Sequence, residues 1–394
     1  MKWWSAISDK PRLDSAVADA VADVRRALGD ARPDLAVAFV SAHHAARYRE
    51  LPAMLREALG AATVLGCSAR SVIGGGRELE EQAGLSVIAA SLPGVDVVPF
   101  HIGSDALPEA GGRAEAWSKL VGTSPDRRPH FVVLSDPFSF DIEGFVRGLD
   151  RHFAGSRTVG GVASGGRTPG DNALYLGDRV YRAGLVGVAL AGEIAVDTVV
   201  AQGCRPIAQP MFVTRCRENW LLQLDGRPAL EVLQEIYQRL SPEDQELCRG
   251  SLFLGIEMRV SQAEYRQGDF LIRNLLGSDP ATGAIAVGAL LHETQVVQFH
   301  LRDARTSAED LDQRLERYRS EIEPASARGA LLFSCLGRGE HLYGHSGHDS
   351  EALRRALGDV AVGGFFCNGE IGPVEGRTFL HGYTSAFAIF RERG

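Results

Sequence analysis

Apolar positions spaced three to four residues apart predict a helix near the start of the chain. Gly29 ends this pattern, and residues 1–30 are therefore expected to form an N-terminal helical extension. The apolar residues that define the helix are Leu13, Val17, Val21, Val24 and Leu28.

Beyond this helix the chain repeats a pattern of strand, helix, glycine turn and strand. The three copies span residues 34–92, 130–192 and 330–392. In each copy a small polar residue ends the first strand and a glycine follows in the second, the pairs being Ser41 and Gly66, Ser135 and Gly160, and Ser334 and Gly363. A strand followed by a crossover helix and another strand forms a parallel pair. We therefore predict an α/β fold of mixed sheets covered by helices and arranged as two fused halves, with α+β as the alternative.

The region between the second and third copies has a different pattern. Four apolar stretches follow one another between residues 249 and 304, a spacing typical of an antiparallel meander. A helix of alternating charge is predicted at 307–322.

Composition narrows the class of protein. The net charge is −8 and there is no basic block, which argues against nucleic-acid binding. No stretch of about 18 uninterrupted apolar residues is present, so no membrane span is predicted. The N-terminus lacks the apolar segment of a signal peptide, and the six cysteines form no CxxC motif. We expect a cytoplasmic protein with free thiols.

Ligands in sheets of this kind gather beyond the carboxyl ends of the strands. We therefore expect the three repeated strand ends to face one common cleft between the halves, with Arg70 and Arg338 able to clamp a carboxylate. Arg338→Ala is expected to weaken binding without unfolding the protein. The candidate ligand-binding residues are Cys67, Ser68, Arg70, Asp136, Ser139, Gly160, Gly161, Ser164, Cys335, Gly337, Arg338, Cys367, Asn368 and Glu370.

Two other chemistries remain open. Cys67 and Cys335 follow strand ends, where a hydrolase or transferase could place a nucleophile, although no recognised catalytic motif accompanies them. We expect binding rather than catalysis. His44, His341 and His345 are weak candidates for haem ligands, and no metal site is predicted because no carboxylate spacing completes one.

Several long motifs resemble the FIST family. They include GCSARSVIGGGRELE, FLIRNLLGSDPATGAIAVG, VQFHLRDA and FFCNGEIGPV. The resemblance implies a FIST N-like domain at 31–220 and a FIST C-like domain at 221–390. It further implies a sensory protein that binds a small ligand, with amino acids suggested, and that signals through a separate partner protein. A subset of similar proteins is thought to bind haem and sense nitric oxide, which keeps a haem-based gas sensor as the alternative. A homo-oligomer is left open.

Overall fold

The structure is a computed structural model that describes residues 1–29, 31–109, 111–259, 262, 264–323 and 326–393. Its first thirteen strands are β1 (Lys2–Ser8), β2 (Leu35–Ser41), β3 (Thr63–Ala69), β4 (Val72–Gly74), β5 (Arg77–Leu79), β6 (Leu85–Ser91), β7 (Val95–Ile102), β8 (His130–Ser135), β9 (Thr158–Val162), β10 (Leu174–Leu176), β11 (Arg179–Tyr181), β12 (Leu185–Gly192) and β13 (Ile194–Ala201). The later strands are β14 (Cys204–Pro206), β15 (Met211–Arg217), β16 (Trp220–Leu224), β17 (Arg227–Pro228), β18 (Leu252–Glu257), β19 (Phe270–Asp279), β20 (Ala284–Val287), β21 (Val296–Arg302), β22 (Ala327–Cys335), β23 (Ala361–Cys367), β24 (Glu370–Val374), β25 (Arg377–His381) and β26 (Ser385–Glu392). The α-helices are α1 (Leu13–Leu28), α2 (Leu51–Leu59), α3 (Ala114–Val121), α4 (Ile142–His152), α5 (Ala229–Arg239), α6 (Pro242–Ser251), α7 (Ala304–Glu321), α8 (Glu340–Tyr343) and α9 (His348–Leu357), and 3-10 turns cover Ala42–Arg47 and Pro125–Arg127.

The chain divides into two compact units. Unit 1 comprises Met1–Val200, Asp312–Leu380 and Thr384–Gly394. Unit 2 comprises Ala201–Leu311 and His381–Tyr383. Apart from His381–Tyr383 of the third copy, all three repeated copies fall in unit 1, so the copies are not divided between the two compact units. The cleft that we expected between halves is replaced by a meeting of strand ends inside one unit.

Unit 1 contains three six-stranded sheets with one common order. The strand orders are β1-β6-β2-β3-β10-β11, β7-β12-β8-β9-β24-β25 and β13-β26-β22-β23-β4-β5. In each sheet the strands on either side of the crossover helix are parallel, and the closing strand is antiparallel to the first. The predicted mixed α/β fold and its parallel pairs are confirmed.

The β-hairpin that follows each parallel pair joins the sheet of a different repeat. Hairpin β4–β5 pairs with β23, hairpin β10–β11 pairs with β3, and hairpin β24–β25 pairs with β9. Each repeat thus completes the sheet of another in a closed cycle. One apolar core contains residues from all three copies, including Phe39, Leu134, Val159 and Phe333.

The first 30 residues are more than a helical extension. Helix α1 matches the predicted pattern, but the segment before it is strand β1, which pairs with β6 along its whole length. Trp3 stacks on Phe390 at 4.4 Å between ring centroids, so the strand is held by packing as well as by hydrogen bonds. Strand β1 takes the same place in its sheet as β7 and β13 do in theirs. The segment is therefore part of the first repeat.

Three glycines take equivalent places in the second strands of the repeats: Gly66, Gly160 and Gly364. A Cβ atom added there would lie 2.1, 1.8 and 1.9 Å, respectively, from a carbonyl oxygen of the neighbouring parallel strand. Only glycine allows this close approach of the two backbones. The sequence pattern pointed to Gly363 in the third copy. The glycine that packs against the neighbouring strand in the equivalent way is the next residue, Gly364.

Unit 2 is built around antiparallel strands that close on themselves. Strand β21 pairs with both β15 and β18, which completes a ring in the order β21-β15-β16-β20-β19-β18. The predicted meander is correct for β18, β19 and β20, but β21 pairs with β18 rather than with β20. The closed arrangement lets apolar residues such as Leu254, Ile285, Val297 and Phe299 share one core.

No helix among the described residues is both long enough and apolar enough to cross a membrane.

Candidate functional site

The carboxyl ends of the second strands of all three repeats meet in unit 1. The Ser164 hydroxyl accepts a hydrogen bond from the Arg70 backbone N–H at 3.0 Å and donates one to the Phe366 carbonyl. The Asn368 side-chain amide donates to the Ala163 carbonyl at 2.9 Å. Residues from the three copies are thus joined within one hydrogen-bond network.

A pocket of about 280 Å³ lies beside this meeting point. We call it the strand-end pocket, and it is lined by Ser71, Glu80, Glu81, Leu336, Glu340, His341 and Phe366. Three of its lining residues carry carboxylates, and Glu81 is paired with the Arg70 guanidinium at 2.6 Å. Arg70 therefore lies next to the pocket, but its charge is already engaged.

A buried polar cluster lies in the third repeat, which also supplies Leu336, Glu340, His341 and Phe366 to the strand-end pocket. Arg338 is fully buried, and its Nε and Nη2 each donate to the Asp349 carboxylate at 2.9 Å. The hydroxyls of Ser334 and Ser385 also donate to Asp349. We call Arg338, Asp349, Glu370, Thr384 and these two serines the Arg338 cluster.

The pairing of Arg338 with Asp349 fixes the charge of both groups. Burial opposes ionisation of Asp349, but attraction to Arg338 and the hydrogen bonds from His348 and Arg338 outweigh it and hold its pKa well below the usual range. Arg338 thus serves first as the partner of a buried carboxylate. The expectation that Arg338→Ala would leave the protein folded does not agree with this geometry, because the substitution would leave Asp349 charged and unpaired.

Glu370 is the second acid of the cluster. Its Oε2 accepts hydrogen bonds from the backbone N–H and the hydroxyl of Thr384, at 3.1 and 2.8 Å. Burial raises the pKa of Glu370 to about 8, against these hydrogen bonds and the attraction of Arg338. The carboxyl group is therefore largely protonated at neutral pH.

Two polar atoms of the Arg338 cluster have no hydrogen-bond partner among the described residues. They are Nη1 of Arg338 and Oε1 of Glu370, and both are buried. Burying such atoms without a partner costs free energy, and each calls for a specific explanation. Arg338 lies between Leu336 and Glu340, which line the strand-end pocket, whereas Glu370 begins the next strand after the one that carries Phe366.

Two glutamates of the first repeat hold the loop that carries Arg338. Glu78 accepts hydrogen bonds from the backbone N–H groups of Gly347 and Ser350, at 3.1 and 2.9 Å, and Glu80 accepts from that of Glu340 at 3.0 Å. Burial, followed by repulsion from Asp349, raises the pKa of Glu78 to about 7. The loop is thus anchored by two carboxyl groups whose pKa values are raised by burial.

Other predicted residues form a separate network between the first and second repeats. Asp136 accepts from the Ser139 hydroxyl at 2.6 Å and from the Asn172 side chain at 3.1 Å, and the Ser68 hydroxyl donates to Asn172 at 3.1 Å. Ser68, Asp136 and Asn172 are buried. Their polar groups bond to one another, so the network links the first and second repeats.

Gly160 and Gly161 lie inside β9 rather than in an anion-binding turn. Gly160 packs against the backbone of β8, and a Cβ at Gly161 would lie 2.4 Å from the Cys367 sulfur. Close packing of strands therefore explains both glycines.

The six cysteines are free thiols, as predicted. Cys67 and Cys367 are fully buried, and burial raises the pKa of both thiols well above the usual value. A thiol in that state is a poor nucleophile. Cys335 is partly exposed, and its sulfur accepts from the Gly337 N–H at 3.5 Å.

The three histidines proposed as haem ligands lie in different surroundings. His341 lines a pocket of about 280 Å³, and drug-sized ligands, which are smaller than a haem, occupy about 300–1,000 Å³. His345 is exposed, and its Nδ1 lies 3.1 Å from the Tyr343 carbonyl oxygen. His44 is buried in a 3-10 turn of the first repeat, with no hydrogen-bond partner at Nε2 among the described residues.

Sequence reasoning missed several residues that organise the site: Glu78, Glu80, Asp349, Asn172 and Thr384. Each is polar and lies close to a predicted strand or helix end. Only their burial and their contacts across repeats distinguish them from ordinary surface residues.

Two family models match consecutive parts of the chain. The FIST N domain matches residues 34–227 and the FIST C domain matches residues 229–373. The compact units of the structure divide the chain elsewhere, because unit 1 includes the third repeat.

Similar full-length proteins occur in mycobacteria. An uncharacterized protein of Mycobacterium tuberculosis is 38% identical over 386 residues, covering 98% of each chain. An uncharacterized protein of Mycobacterium bovis is 35% identical over 380 residues, covering 96% of each chain. A crystal structure of a cyanuric acid hydrolase from A. caulinodans covers all of both chains at a TM-score of 0.39 and 9% identity, too weak a likeness to support an argument. The chain belongs to the FIST family, whose domains are associated with sensory signal transduction.

Proposed function

We propose that this protein is a sensor that binds a small amphoteric ligand, such as an amino acid, at the strand-end pocket. The observation that carries the proposal is the pair of buried atoms, Nη1 of Arg338 and Oε1 of Glu370, that have no hydrogen-bond partner among the described residues, Arg338 lying between two residues that line the pocket. A ligand carboxylate would supply an acceptor for Nη1 of Arg338, and a ligand ammonium group would supply a donor for Oε1 of Glu370 once that carboxyl group has lost its proton.

The charges around the pocket support a ligand with an ammonium group. Glu80, Glu81 and Glu340 line it, and only Glu81 has an arginine partner within the described residues. A ligand that carries only a carboxylate would meet repulsion there, so the amino group is expected to be required. We therefore propose a ligand that carries both a carboxylate and an ammonium group, rather than a carboxylate alone.

Ligand occupancy would be reported through the loop at 336–350. This loop is held by Glu78 and Glu80, and it carries Arg338 and His341. An ammonium group beside Glu80 would compete for the carboxylate that accepts from the Glu340 N–H. A separate partner protein would then recognise the changed loop.

A thermal-shift screen tests the proposal. Free amino acids are added to the full chain, each compared with the corresponding acid that lacks the amino group and with the corresponding amine that lacks the carboxylate. A ligand that binds only the folded protein adds about 2.7 kcal/mol at a hundredfold excess over its Kd. At least one amino acid should raise the Tm while both of its truncated analogues do not.

Variants locate the site of any response. Glu80→Gln should abolish the shift, and the matched change Glu316→Gln, on the exposed face of α7, should leave it intact. A flat screen across all amino acids, or a response unaffected by Glu80→Gln, would contradict the proposal.

A further inference from the structure

Unit 2 contains a buried arginine that has no carboxylate partner among the described residues. Arg302 ends β21 and is 8% exposed, and neither its Nε nor its Nη1 has a hydrogen-bond partner among the described residues. Three other partly or fully buried arginines each contact an aspartate: Arg205 with Asp303 at 2.9 Å, Arg338 with Asp349 at 2.9 Å, and Arg391 with Asp197 at 2.7 Å. Arg302 is an exception that requires its own explanation.

Aromatic rings surround the Arg302 guanidinium instead of an acid. Its central carbon lies 4.7 Å from the centre of the Tyr383 ring and 6.0 Å from that of Phe253. The Tyr383 hydroxyl donates to the side-chain oxygen of Asn274 on the neighbouring strand β19. Arg302 and Asn274 come from the motifs VQFHLRDA and FLIRNLLG, to which the proposed function assigns no role.

The backbone at Tyr383 is also unusual. Its φ angle is 67°, in the left-handed region that bulky residues rarely adopt. Such strain persists only where the surrounding structure imposes it, and it concentrates at ligand-binding positions. The strained residue here is the one whose ring covers the guanidinium.

The energetics indicate a missing anion. A guanidinium cannot lose its proton in a protein, so Arg302 cannot relieve its burial by becoming neutral. The rings offer a cation–π attraction but no hydrogen-bond acceptors for Nε and Nη1. The nearest acidic neighbour in sequence, Asp303, is already bound by Arg205 and Thr306.

His300, on the same strand as Arg302, adds no positive charge. His300 lies two residues before Arg302 and therefore on the same face of the strand. Burial lowers the pKa of His300 to about 4, so its ring is neutral near pH 7. One guanidinium beside this neutral ring suits a single oxyanion group.

We propose that Arg302, Tyr383 and Asn274 form a binding site in unit 2 for the oxyanion group of a small molecule, either a carboxylate or a phosphate. The guanidinium pairs with the oxyanion, and the Tyr383 ring covers the face of the guanidinium. None of these three residues is among those that line the strand-end pocket.

The test measures the Tm of the full chain against increasing acetate or inorganic phosphate, with sodium chloride at equal ionic strength as the reference. We expect a saturable rise in Tm with at least one of the two anions beyond that in chloride. A response to acetate alone identifies a carboxylate site, and a response to phosphate alone identifies a phosphate site.

Two variants connect the response to Arg302. Arg302→Met should remove the rise, whereas Arg217→Met, at an exposed arginine of the same unit, should retain it. In chloride alone Arg302→Met should melt at or above the wild-type temperature, because it removes an unpaired buried charge. The proposal is overturned if acetate and phosphate act no differently from chloride, if Arg302→Met keeps the rise, or if that variant is strongly destabilised in chloride.

Discussion

Arg338 in unit 1 and Arg302 in unit 2 are both buried arginines, but their partners differ. Arg338 is held by two hydrogen bonds to Asp349, whereas Arg302 lies against Tyr383 and Phe253, and two of its nitrogen atoms have no acceptor among the described residues. The first arrangement neutralises the charge from within the fold. The second does not neutralise the charge with an acid among the described residues, which is the basis of the anion site proposed above. Burial alone therefore does not tell the role of a charged side chain; the presence or absence of an acidic partner must be known as well.

The largest predicted effect comes from removing one partner of the internal pair. Arg338→Met should destabilise the fold by about 3–5 kcal/mol, because Asp349 would remain buried and uncompensated. Denaturant unfolding of the variant measures this loss.

The double variant Arg338→Met/Asp349→Leu is the control for that prediction. It should recover much of the stability, since replacing both members of a buried pair by apolar residues is often neutral or better. A mild effect of Arg338→Met alone would remove the contrast with Arg302.

A second prediction concerns pH and Glu370. Its pKa in the folded protein, about 8, lies above that of an unfolded glutamate, about 4.5. Between these values the folded state binds more protons than the unfolded state, so this group makes stability fall as pH rises, by up to about 1.4 kcal/mol per pH unit. The free energy of unfolding measured from pH 5 to 8 should show this decline.

Glu370→Gln isolates that contribution. The variant should show a flatter decline of stability over the same pH interval, because the amide cannot ionise. An unchanged pH profile would show that Glu370 does not carry the effect, and the contribution of Glu78, whose pKa is raised to about 7, would then need the same test with Glu78→Gln.

The smallest predicted effect concerns the cover over Arg302. Tyr383→Phe keeps the ring above the guanidinium but removes the hydroxyl that donates to Asn274. A typical hydrogen bond contributes about 0.5–1.5 kcal/mol to stability, and this one is exposed, so the loss should fall at or below the lower end of that range. Thermal unfolding in chloride measures it, and a loss of several kcal/mol would mean that Tyr383 supports the fold far more than its contacts indicate.

The sequence was sufficient to predict what depends on local pattern. The apolar periodicity of Leu13 to Leu28 predicts α1, and the repeated strand–helix–strand pattern predicts the parallel pairs. Strand β1 was missed because its residues, beginning with Lys2 and Trp3, show no clear alternation before the helix. The exchange of hairpins between repeats could not be predicted, since pairing of β4 with β23 joins residues far apart in the chain.

The candidate site was predictable in position but not in detail. The strand ends do meet, as the contacts among Arg70, Ser164 and Phe366 show. The partner of Arg338, however, is Asp349 on a later helix, and nothing in the local sequence identifies it. The same holds for Arg302, whose lack of an acidic partner is visible only when the neighbouring strands are in place.

The exchange of hairpins has a consequence for how unit 1 folds. Each of its three sheets requires a hairpin from another repeat, and the order of donation returns to its starting point. No single repeat can therefore be complete while another is unfolded, in contrast to linear repeat arrays, whose segments can fray from one end. Unit 1 should fold as one cooperative body. A chain caught before the cycle closes would present an unpaired strand edge, the kind of surface through which proteins exchange segments or aggregate.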